Sequence, residues 1–62
     1  MKVREIIRLI ELDGWYRIKA KGGHQQFKHP VKRGRVTVPS QMNADLDKKT
    51  AKSILHQAGL EE

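Results

Sequence analysis

The chain has 62 residues, with 13 Lys and Arg against 7 Asp and Glu, a net charge of +6 and no cysteine. A domain this small buries only about 60% of the surface its unfolded chain exposes, which excludes a deep substrate pocket or a second domain. Disulfides and thiolate-zinc sites are excluded too, no apolar run approaches the ~20 residues of a membrane span, and no leader-like segment is evident.

In chain order, Val3, Ile6, Ile7 and Ile10 recur at i, i+3, i+4 and i+7, the apolar face of an amphipathic helix over about residues 3–12. Gly14 stands where a left-handed cap would end it. The period then changes to two. Tyr16-Arg17-Ile18-Lys19-Ala20 alternates apolar and basic residues as a half-buried strand does. Gly22-Gly23 signals a tight turn. A second strand, His24 to His29, stops at Pro30, and Lys32-Arg33-Gly34 makes another turn. Arg35-Val36-Thr37-Val38 is a third strand, ended by Pro39.

Residues 40–46 read as a polar connection. Asp47 is a good N-cap for a second helix carrying Ala51, Ile54, Leu55 and Ala58 on one stripe. Leu46 is placed to staple onto Ala51. Gly59 caps the far end, with Leu60 folding back on Leu55. The fold class is therefore α+β, in the order α-β-β-β-α. A three-stranded antiparallel sheet should carry both helices on one face, in a single domain over residues 1–62.

Strand parity decides what the other face shows. If Tyr16, Ile18, Phe27, Val36 and Val38 face the helices, then Arg17, Lys19, His24, Gln26, Lys28, Arg35 and Thr37 face away. That assignment holds as long as no bulge interrupts the alternation. Charge segregation points the same way. From Gly14 to Ala44 there is no Asp or Glu but there are seven cations, while the flanks hold the other six cations and all seven acidic residues. A basic surface of this kind suits a polyanion, most often nucleic acid.

His24 follows two glycines on this expected open face. It reads either as a general acid or base, since only histidine has an ordinary pKa near neutrality, or as an ordinary surface histidine of a strand. Gly22-Gly23 is a hairpin turn whose bare backbone N–H groups can also approach a phosphate. Lys19, Lys21, Lys28 and Arg35 are candidates for phosphate contact, weighed against a merely solvated face. His29 shares parity with Phe27 and reads as a partly buried turn histidine, and His56 as a surface residue of the last helix. Trp15 and Tyr16 are expected in the core or at its rim. With only three aromatic residues, a protein that works by base stacking is poorly supported. No metal is expected, because the histidine spacings match no usual ligand set and the strands hold no carboxylate. Acyl-transfer hydrolysis and paired-carboxylate glycosidase chemistry lack their residues.

Four segments together carry a family resemblance: Asp13-Gly14-Trp15 after the first helix; Gly22-Gly23-His24-Gln25-Gln26-Phe27-Lys28-His29-Pro30; Gly34-Arg35-Val36-Thr37-Val38-Pro39; and Ser53-Ile54-Leu55-His56-Gln57-Ala58-Gly59-Leu60. Over nearly its whole length the chain resembles HicA, the toxin of HicBA toxin–antitoxin systems. The resemblance implies a double-stranded-RNA-binding-domain-like fold and the activity of an mRNA interferase, a small endoribonuclease that arrests growth. It implies His24 as the catalytic residue and a HicB-type antitoxin as partner. The family's Gly-Ser-His-like motif is present with Gly23 in place of the serine, so a hydroxyl is missing there. The expected RNA-binding set is Arg17, Lys19, Lys21, Gly22, Gly23, Gln26, Lys28 and Arg35, with no cofactor, no metal and no membrane, in the cytoplasm. Lys28, water or His24 itself is left as the group that protonates the leaving oxygen. Two other readings stand beside this one. The chain is either a non-catalytic RNA-binding module or a basic subunit for an acidic protein. Exposed apolar residues such as Trp15 and Met42 would serve a protein interface.

Overall fold

Val3, Ile6, Ile7 and Ile10 are all buried, and they place α1 (Val3–Leu12) over the sheet as the 3.6-residue period requires. The computed structural model describes residues 1–60. After α1 come β1 (Tyr16–Lys21), β2 (His24–Lys28), β3 (Val36–Pro39) and α2 (Lys48–Gln57), an α+β domain with one antiparallel sheet in the order β1-β2-β3. The core is formed by the α1 stripe with Trp15, Phe27, Val36, Val38, Ile54 and Ala58. The helices touch each other and both pack over β3. β1 lies outside their cover, and all six of its residues are exposed.

Both helices stop by the same device. Gly14 (φ +110°) follows α1: its N–H bonds the Glu11 carbonyl at 3.0 Å, and the Trp15 N–H bonds the Ile10 carbonyl at 3.1 Å. Gly59 (φ +71°) follows α2: its N–H bonds the His56 carbonyl at 3.0 Å, and the Leu60 N–H bonds the Leu55 carbonyl at 2.8 Å. These are two Schellman motifs, and the positive φ is why glycine stands at each. At the other end of α2, the Asp47 carboxylate accepts from the Thr50 N–H at 3.0 Å. Residues 40–46 do more than connect. Val3 and Arg4 donate to the carbonyls of Ala44 and Met42, and Leu46 donates to that of Met1, so this segment straps the start of α1.

A polar corner joins the end of α1 to the end of α2. Trp15 is buried, as the core reading expects and not as an exposed interface residue would be, and its indole Nε1–H donates to the Ala58 carbonyl at 3.3 Å. An amphipathic indole pays for burial only by finding an acceptor, and the free carbonyls at a helix end supply one. His29 stands edge-on to Trp15 with ring centroids 5.2 Å apart. Its Nδ1 accepts from the N–H groups of Val31 and Lys32, both at 3.0 Å, and its Nε2 lies 2.7 Å from the Asp13 carbonyl. Two donors at Nδ1 leave the proton on Nε2, which then donates to Asp13. A Cβ on Gly14 would stand 2.7 Å from that Nε2, a second reason for glycine there. Lys32 completes the corner with its ammonium on the Asp13 carboxylate and, at 3.0 Å, on the Ala58 carbonyl. The hydrogen bond from Lys32 holds the Asp13 carboxyl below the usual carboxylate range, against the opposing effect of desolvation.

Candidate active site

The register shows which side chains share the open face. Across β1 and β2 the partners are Tyr16 with Lys28, Arg17 with Phe27, Lys19 with Gln26, Ala20 with Gln25, and Lys21 with His24. Across β2 and β3 they are His24 with Pro39, Gln25 with Val38, Gln26 with Thr37, and Phe27 with Val36. Directly opposed residues lie on the same side of a sheet. Phe27, Val36 and Val38 are buried under the helices, so His24, Gln26, Lys28 and Thr37 face away from them, as parity predicts. Lys19 and Lys21 join this face from β1. A shallow open depression is lined by Lys19, Lys21, His24, Gln26, Arg35 and Thr37.

Parity fails at one point. β1 carries a bulge between Arg17 and Lys19, leaving Ile18 as the extra residue. Everything before the bulge is therefore reversed relative to a regular strand. Tyr16, expected on the core side, stands beside Lys28 on the open face and is 49% exposed. Arg17, expected on the open face, stands beside Phe27 on the helix-facing side, where its guanidinium donates to the Gln25 side-chain oxygen at 3.4 Å. The Gln25 amide donates in turn to the Pro39 carbonyl at 3.1 Å and faces the Met42 sulfur at 3.7 Å. These bonds explain how a glutamine only 4% exposed sits among core residues.

Gly22 and Gly23 form the two-residue loop between Lys21 and His24. Gly22 has φ +60° and Gly23 does not have a positive φ, the pattern of a type II′ turn with glycine first. The Gly23 carbonyl accepts from the Ser40 N–H at 2.8 Å, fixing the turn to the end of β3. The turn thus delivers His24 to the first position of β2, at the rim of the depression. Among the described residues no hydrogen bond or ion pair holds the imidazole of His24. No acidic residue occurs between Gly14 and Ala44, so the depression has no carboxylate from its own strands. Among the described residues no three or more His, Cys, Asp or Glu are grouped. No helix among them is long and apolar enough to cross a membrane. Lys28 lies four residues from His24 on the same strand, about 13 Å along it. Lys21 is directly opposite His24, which makes it the better placed of the two for proton transfer there. Neither the bulge nor the Trp15–His29–Lys32 corner has a signal in composition or period, because each depends on pairing between distant segments.

Comparison with known proteins finds similarity to a family model and to solved structures. The family model for the HicA toxin of bacterial toxin–antitoxin systems matches residues 3–60. A solved structure, a toxin–antitoxin complex from Streptococcus pneumoniae, contains a chain 30% identical to this one, with a TM-score of 0.79 over 97% of this chain and 98% of that one. No curated protein matches.

Proposed function

Because the chain belongs to the HicA toxin family and is the toxin type of a toxin–antitoxin system, we propose that it is an endoribonuclease that cleaves mRNA in the cytoplasm with His24 as its single catalytic histidine. The observation that carries this reading is the juxtaposition of His24 with Lys19, Lys21, Gln26, Arg35 and Thr37 on a face without carboxylates. RNA contains its own nucleophile. His24, neutral, takes the proton from a 2′-OH. The oxygen attacks the adjacent phosphorus, the P–O5′ bond breaks, and the 5′-oxygen leaves with a proton from Lys21 or water. The products are a 2′,3′-cyclic phosphate and a 5′-OH. General base catalysis of this kind contributes roughly 10²–10⁴-fold, and the lysines and arginine offset the charge that develops on phosphorus. No step calls for a metal. A HicB-type antitoxin is the proposed protein partner, in keeping with the complex in which the Streptococcus pneumoniae chain is found.

The test is incubation of wild-type and His24→Ala protein with a long single-stranded RNA in EDTA. Fragments ending in cyclic phosphate, from the wild type alone, are expected. Equal cleavage by both would overturn the assignment of His24. Salt-sensitive RNA binding without cleavage by either protein would favour a non-catalytic RNA-binding module, which uses the same face but has no need of an imidazole.

A further inference from the structure

Tyr16 is the one Phe, Tyr or Trp ring on the open face among the described residues, and three observations put it there. Trp15, immediately before it, is buried in the core, which turns the next residue outward. Its cross-strand partner is Lys28, which alternates with the buried Phe27. The bulge after Arg17 lets Tyr16, Lys19 and Lys21 share that face despite their odd-numbered spacing from 16 to 19. The ring is half exposed, and no described group hydrogen-bonds its hydroxyl.

From these we propose that Tyr16 is a stacking platform for one unpaired base of an RNA strand that runs across the sheet to His24. The proposal rests on the RNA reading given above and specifies its substrate. Tyr16 is one strand over and four residues along from His24, roughly 14 Å at sheet spacings. An unstacked strand extends to about twice the ~3.4 Å rise per phosphate of a duplex strand, so the stacked base belongs to a nucleotide about two steps from the scissile phosphate. Lys19 and Gln26 lie between the two points, where the intervening phosphates would pass, and Lys28 stands beside Tyr16. A duplex hides its base faces, so a side chain used in this way selects single-stranded RNA.

The experiment measures binding of a fluorescent single-stranded RNA oligonucleotide to His24→Ala protein, which does not consume it, at one fixed salt concentration. The comparison probe is a ribose-phosphate chain of the same length without bases. Adding Tyr16→Ala is expected to weaken RNA binding by about five- to 150-fold, the range measured for aromatic–base stacking. Tyr16→Phe should stay within about twofold of the parent, and Tyr16→Ala should bind the abasic chain as the parent does. Equal loss on both probes would overturn the proposal, because it would mean that Tyr16 only supports the basic surface. Unchanged RNA binding by Tyr16→Ala, with Arg35→Gln weakened, would overturn the stacking role and leave the RNA reading intact. Absence of RNA binding by the parent would overturn both.

Discussion

At Gly22 and Gly23 two adjacent glycines answer to different demands. Gly22 needs its positive φ of +60°, whereas Gly23 has none, and a Cβ there meets nothing within 4 Å. Gly23→Ser, which restores the serine of the family motif, is therefore expected to change the melting temperature by no more than a few degrees and to retain RNA cleavage. Gly22→Ser should destabilise by about 1 kcal/mol or more; thermal melts of the two variants check the contrast. The place of His24 on the open face was legible in the sequence, because it stands next to that turn and alternates with the buried Phe27. The sequence did not disclose what His29 and Lys32 do. Lys32 reads as one more cation, yet it is held by Asp13 and the Ala58 carbonyl. Asp13 and Ala58 are 45 residues apart in the sequence, and only the folded chain brings them to one ammonium. The burial of Trp15 was legible but its acceptor was not, because that carbonyl lies at the far end of α2.

Among the elements, the helices were legible and β1 was not wholly so. A 3.6-residue stripe is redundant, since four buried positions specify the face of α1 and one error would not move it. Strand parity has no such redundancy. One extra residue at Ile18 exchanges Tyr16 for Arg17, and no residue type announces it. The cap of α2 was legible because it is local. It also sets a dependence on pH. Hydrogen bonds from Thr50, from its side chain first and its backbone second, hold the Asp47 carboxyl below its ordinary value of 3.8. A depressed folded-state pKa adds stability that is fully present above the unfolded value and is lost as pH falls through the folded one. Asp47→Ala is expected to lower the melting temperature by roughly 4–8 °C at pH 7. Asp47→Asn, which keeps an acceptor, should lose less. The gap between wild type and Asp47→Ala should close as pH drops below 4, as melts across a pH series would show.

For the molecule as a whole, the division of charge along the chain becomes a division in space. The stretch without acidic residues supplies the sheet, and the flanks with mixed charge supply the helices behind it. Most of this was readable in the sequence, because alternation sends the strand cations other than Arg17 to one side. The uneven coverage of the sheet was not readable. Both helices pack on β3, β2 is paired on both sides, and β1 is an edge strand whose six residues are all exposed. The domain is thus graded in local stability across three strands. Opening β1 exposes little apolar surface, whereas opening β3 dismantles the core. The amides of β1 that bond to β2 should exchange with solvent deuterium through local fluctuations, well ahead of those in β3, which should wait for global unfolding. Tyr16, Lys19 and Lys21 lie on the strand expected to open first, while His24 lies on the central strand, paired on both sides. An occupant of the open face would slow exchange most in β1, so its footprint would appear as newly protected amides in a strand that has few of its own.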